Sequence, residues 1–353
     1  MSRSHVERVA DAVLYEGYML YPYRPSSVKN RQRWTFGGVY PRAYAESQSG
    51  ADAWEARTEC LLAAPPDATL TVRVRFLHLL ERQPGELTPP LTAWPASGEP
   101  SFRPIPLLQI GDRSYPAWQE ATEREERIEG LSPARLPEQP IVLPLRIAAG
   151  RTLQPLAGPD GTLVGVLTRV HERIDGEIEV AARGLEPDLF RVTVSVRNES
   201  ALDKAASDRE SALRHTLIST HVILHVAGGA FVSLLDPPPR WRDDAAACRN
   251  VGLWPVLAGE EGGDETVLAS PIILYDHPEV APESPGDLFD ATEIDEILTL
   301  RILTLTEDEK REMIAADDRA QAMLERTEAL ANDQLLGLHG VMREIRPRRA
   351  DDV

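Results

Sequence analysis

Leu70-Thr71-Val72-Arg73-Val74-Arg75-Phe76 decides the fold class. Its apolar residues fall at every second position, so an extended chain puts Leu70, Val72, Val74 and Phe76 on one face and Thr71, Arg73 and Arg75 on the other. The same period runs through Phe190, Val192, Val194 and Val196. Outward from these two strands, Asp175-Gly176 lies between apolar runs at 163–174 and 177–183. An Asp-Gly pair readily takes the positive φ angles of a tight turn, so a hairpin is predicted there. Residues 216–226 and 230–235 predict a further strand pair with Gly228-Gly229 as its turn. Short strands at this spacing predict a mainly β chain with an antiparallel, sandwich-like core rather than strand-helix-strand units.

A chain of 353 residues is long enough for one large domain or two. Seven prolines between positions 84 and 106 predict a surface loop or linker, because proline removes a backbone donor and fixes φ. Residues 1–305 therefore read as a β-rich core, as one unit or as two sub-domains divided near 84–106. Thr306-Glu307-Asp308-Glu309 has capping-box spacing, with the Thr306 hydroxyl placed to accept from the third helical amide and Glu309 to reach back. A helix running toward Leu330 is expected, making 306–353 a helical C-terminal extension. The preceding segment, 292–305, fits a helix face and a strand equally well.

A net charge of −18 opposes binding to nucleic acid, which depends on neutralising phosphates. Asp11, Glu16 and Tyr18 interrupt the one apolar segment near the N-terminus, and no run of about 20 apolar residues occurs, so no membrane insertion is expected. Cys60 and Cys248 have no framework spacing and read as reduced thiols of a cytoplasmic protein.

Charge is segregated along the chain. Six of the eight tyrosines lie between Tyr15 and Tyr44, and residues 17–45 carry Arg24, Lys29, Arg31, Arg33 and Arg42 without a carboxylate. Residues 250–300 reverse this, with twelve carboxylates and neither Lys nor Arg. Tyrosine, tryptophan and arginine dominate interface hot spots, which makes Tyr21, Tyr23, Arg24, Lys29, Arg31, Arg33 and Trp34 candidate partner-binding residues. Asp276, Glu283, Asp287, Asp290 and Glu293 form the matching acidic surface. Either the two segments dock separate partners, or they clamp each other, with Arg31 or Arg33 against the carboxylates.

Familiar reaction signatures are missing: no Gly-Lys-Ser/Thr phosphate loop, no Gly-x-Gly-x-x-Gly, no Gly-x-Ser-x-Gly, no His-Glu-x-x-His and no Cys-x-x-Cys. No cofactor is expected. His215, His221 and His225 share one face of an extended strand, and His221 with His225 is the pair that would hold a metal. An extended strand spreads His215 and His225 roughly 30 Å apart, however, so ordinary sheet residues are the plainer reading. Asp276 and Glu283 are candidate acid/base carboxylates, with nothing local to position them. Cys248, beside Arg249, has the composition of a small packed residue rather than a nucleophile.

Leu14-Tyr-Glu-Gly-Tyr-Met-Leu-Tyr-Pro-Tyr-Arg24, with Lys29-Asn30 and Arg33-Trp34 after it, resembles a bacterial protein family encoded beside uptake nickel-iron hydrogenases. So do Ser270-Pro-Ile-Ile-Leu-Tyr-Asp276, Ala281-Pro-Glu-Ser-Pro-Gly-Asp-Leu-Phe289 and Glu293-Ile-Asp-Glu-Ile-Leu298. The resemblance spans most of the chain and transfers no catalytic residues. It implies an accessory role in assembly or operation of a hydrogenase, with a hydrogenase subunit as protein partner. The expected function is thus a non-catalytic interaction protein. The alternative is a carboxylate- or metal-dependent hydrolase with its site around Asp276, Glu283 and His221.

Overall fold

The computed structural model describes residues 5–19, 37–50, 52–202, 208–260 and 263–279, the side chains of 15–19 excepted, together with positions 306, 307, 310, 311, 324 and 325. Helices α1 (His5–Met19) and α2 (Arg42–Ser47) precede β1 (Glu55–Ala63) and the long β2 (Thr69–Leu91). Short strands β3 (Arg103–Pro104), β4 (Leu107–Ile110) and β5 (Arg113–Pro116) lead into β6 (Trp118–Leu131) and β7 (Ile141–Ile147). Then come β8 (Gly150–Ala157), β9 (Leu163–His171), β10 (Ile174–Glu186), β11 (Leu189–Asn198) and α3 (Arg209–Leu213). The described chain continues through β12 (Ile218–Ala227), β13 (Ala230–Val232), α4 (Arg242–Ala246), β14 (Trp254–Leu257) and β15 (Thr266–Ser270).

The pairings among these strands are antiparallel. One sheet has the order β13-β1-β11-β10-β7. The other runs β14-β15-β12-β2-β9-β8, with β3 and β6 also paired to β2, and β4 with β5 forms a separate ribbon. A single apolar cluster draws Cys60, Leu62, Ile178, Val192 and Val194 from the first sheet and Leu70, Val72, Val74, Phe76, Val222 and Leu224 from the second. The alternation in 70–76 and 190–196 thus marks the face that is buried. Each such side chain contributes about 1.5–3 kcal/mol on leaving water.

The opposite face of β2 is roofed by α1. Val6, Val9, Ala10 and Val13 recur at helical spacing and pack against Ile223, Val256 and Leu268. Arg73 and Arg75 therefore meet carboxylates of the helix, Arg73 with Glu7 at 3.2 Å and Arg75 with Asp11 at 2.6 Å.

Both glycine turns differ from expectation. Asp175 and Gly176 lie within β10, opposite Arg146 and Leu145 on β7. Glu172-Arg173 is the connection instead, and β9 and β10 belong to different sheets. Glycine is needed at 176 because a Cβ there would strike the Arg197 carbonyl of β11. Gly228-Gly229 likewise joins β12 to β13 without pairing them: β12 sits between β2 and β15, and β13 pairs with β1. Gly228, at φ +83°, makes the step from one sheet to the other.

The proline-rich stretch begins as strand, since β2 runs through Pro84 to Leu91 and Pro84 stands opposite Leu167. The Pro84 carbonyl accepts from the Ile105 amide at 3.0 Å. In an antiparallel strand a residue's nitrogen points to the same flank as its carbonyl, and there no ladder bond requires a donor from Pro84. Within 306–353, the Lys310 amide donates to the Thr306 carbonyl at 2.9 Å, the spacing of a helical turn, and Leu324 is buried. The rest of the expected helical extension lies outside the described residues. No described helix is long and apolar enough to cross a membrane.

Candidate functional site

After β15, Pro271 ends the ladder and packs on Gly37, where a Cβ would collide with the proline ring. The Ser270 hydroxyl donates to the Ile272 carbonyl at 2.7 Å. The next residues keep the period of two without a strand partner. Ile272 and Leu274 turn inward to the α1 cluster. Ile273 and Tyr275 consequently point out, 72% and 86% exposed, the two most exposed large apolar side chains among the described residues. Trp254 and Leu235, both on neighbouring segments, are also exposed.

Asp276 fixes this display. One carboxylate oxygen accepts from the Leu257 amide at 2.8 Å and the other from the Ser233 hydroxyl at 2.5 Å. Ser233 in turn accepts from the amides of Leu235 and Asp236. The Asp276 carboxylate thus ties the end of β14 to the turn after β13. His277 follows at φ +54°, with its amide on the Leu257 carbonyl at 2.6 Å, and His5 Nε2 lies 2.9 Å from the Pro278 carbonyl. The first described helix and the loop are thereby joined. Ile273 and Tyr275 are exposed on a loop held from behind by spent hydrogen bonds, an arrangement suited to binding.

Tyr21, Tyr23, Arg24, Lys29, Arg31, Arg33 and Trp34 lie outside the described residues, as do Glu283, Asp287, Asp290 and Glu293. Neither clamp nor separate docking of those segments is visible. His221 is fully buried under α1, opposite Arg75 in register. Burial, with the Arg75 guanidinium nearby, holds its imidazole neutral down to about pH 3. Its Nδ1 lies 3.2 Å from the Ser219 carbonyl and its Nε2 has no hydrogen-bond partner. His225 is exposed, with Nδ1 3.1 Å from the Thr266 hydroxyl, and the two rings therefore occupy different environments. Among the described residues no three of His, Cys, Asp and Glu come together in a way that would hold a metal ion.

Cys248 packs beside Leu61, Leu189 and Ala245. Burial pushes its thiol up to about 11 and pushes the Cys60 thiol up further still, so both are poor nucleophiles at neutral pH. Sequence reasoning gave no role to Ile273 and Tyr275. The available signal was alternation in Ile272-Ile273-Leu274-Tyr275 directly after a proline, a strand-like pattern with no partner for its outward residues. It also passed over His78 and His171, which no motif marks and which only the tertiary structure brings together.

Comparison with family models, with curated proteins and with solved structures returned no match.

Proposed function

We propose that the chain is a soluble, non-catalytic accessory protein of the cytoplasm that binds a protein partner, with Ile273 and Tyr275 as the anchors. The observation that carries this reading is their exposure on a loop whose backbone is tied down by Asp276. Exposed aromatic and aliphatic anchors on a rigid support lose little conformational freedom on binding. Residues 250–300, which include this loop, carry no Lys or Arg, so the complementary surface is an apolar pocket rimmed by basic residues. We read the cluster shared between the two sheets as the core of a β-sandwich that presents this loop. The resemblance to proteins encoded beside nickel-iron hydrogenases makes a hydrogenase subunit the first partner to test. The hydrolase alternative is less well supported, because the Asp276 carboxylate is occupied on both oxygens and His221 is enclosed beneath a helix.

The test is affinity purification from the native host at physiological salt, comparing the natural chain with Ile273→Ala/Tyr275→Ala. Loss of two such anchors should weaken the partner by roughly 30-fold or more, the value of a 2 kcal/mol hot spot, with unchanged thermal stability. Recovery of the natural chain alone, or equal recovery of a partner by the double variant, refutes the proposed surface.

A further inference from the structure

His78 on β2 is fully buried, and neither ring nitrogen has a hydrogen-bond partner. Its ring meets that of His171, the last residue of β9, edge to face with centroids 5.1 Å apart. Arg124 of β6 places Nη2 3.4 Å from His171 Nε2. A guanidinium only donates, so that nitrogen accepts and the ring proton of His171 sits on Nδ1. A Cβ at Gly150, across the ladder, would collide with the His171 ring, so glycine there leaves the ring its room. The Arg124 Nε is buried and unpartnered.

The charges around His78 are one-sided. Arg124 from β6, His171 from β9 and His215 from the segment before β12 all bear on it electrostatically, and each opposes its protonation. The Arg214 carbonyl is the one acceptor turned toward it. Glu172 bears on His171 at the rim but not on His78. His215 is anchored by Nδ1, 2.8 Å from the Arg173 carbonyl. A buried His78 set among half-buried Arg124, His171 and His215 is costly unless something supplies the acceptors.

We propose that His78, Arg124 and His171, with His215 behind them, form a binding site for a single oxyanion, a carboxylate or phosphate-type group. The donors set the chemistry: Arg124 Nε–H has no acceptor, a protonated His78 presents a second N–H beyond the one that faces the Arg214 carbonyl, and the fixed guanidinium charge repels a metal cation. An anion reverses the electrostatic penalty on the imidazoles, so binding takes up a proton and strengthens as pH falls toward about 3, where the ring of His78 protonates without the anion. The site shares no residue with the loop carrying Tyr275, so either proposal can fail alone.

The experiment titrates the full chain with phosphate, sulfate or acetate at constant ionic strength, following the histidine ring nitrogens by NMR and thermal unfolding in parallel. Saturable movement of the His78 signals is expected from at least one anion, and the three arms separate phosphate-type ligands from carboxylates. Arg124→Gln should weaken it by about tenfold, the loss of one charge-assisted hydrogen bond. Equal binding by Arg124→Gln means an adventitious ion only and overturns the site. His78 signals unmoved by all three anions overturn it as well, leaving water as the partner of those nitrogens. If Arg124→Gln does not fold, the titration of the natural chain and its pH dependence decide.

Discussion

Replacing Asp11 by Asn should cost about 2 kcal/mol of folding stability, far more than an ordinary ion-pair change. Asp11 reaches from α1 to Arg75 at 2.6 Å, and the two side chains are only 12% and 8% exposed. A charge-assisted hydrogen bond contributes about 1.5–3 kcal/mol, and breaking a buried pair outright costs about 3–5 kcal/mol. The lower part of that range applies because Arg75 keeps Glu123 at 3.4 Å and Glu125 at 3.5 Å, both more accessible to water. Spread over the unfolding entropy of 353 residues, the loss lowers the midpoint by roughly 3 °C. Urea unfolding monitored by tryptophan fluorescence gives the free energy directly, and the denaturant slope should not change. Glu129→Gln is the control: its pair with Arg127 is more than half exposed on both sides, and its loss should stay within about 0.5 kcal/mol. A cycle with Arg75→Met should show coupling of at least about 1 kcal/mol. An Asp11→Asn cost no larger than the control, or additivity in the cycle, would refute the claim that this contact pins the helix to the sheet.

Two further expectations concern ionisation. His221 stays neutral in the folded chain to about pH 3 but protonates near 6.5 once unfolded, so the unfolded state gains protons first as pH drops. Stability is then full above pH 6.5 and falls toward pH 3 by up to about 1.4 kcal/mol per pH unit from this ring. His221→Phe should remove that share of the slope in urea titrations, and an identical pH profile in the variant would show that the ring is not enclosed as described. For the thiols, a chromogenic disulfide reagent at pH 8 should leave Cys60 unmodified and Cys248 slow in the native protein, with both reacting after unfolding. Rapid release of two equivalents from the native chain would contradict their burial.

Strand content was readable where it is encoded locally. Val72 and Val74, or Val192 and Val194, announce their buried face because side chains alternate in any extended backbone, whatever lies across from them. Helix α1 was concealed by the same kind of reading. Asp11 reads as an interruption of an apolar segment, yet it meets Arg75, as Glu7 of the same helix meets Arg73. Asp276 was singled out as an acid, but only its contacts with Leu257 and Ser233 show that its oxygens are spent on holding a loop. The display of Tyr275 follows from those contacts and has no motif of its own.

By itself the sequence determined that the chain is mainly β and which residues of its principal strands turn inward. Tertiary structure alone decided which strand joins which sheet: β9 and β10, or β12 and β13, are neighbours in sequence and lie in different sheets. It also decided which ionisable groups lose their water, as at His78 and His221. The reason is common to both. Alternation and turn chemistry act between residues a few positions apart, whereas strand partners and desolvation depend on segments far away along the chain, which a local pattern does not record.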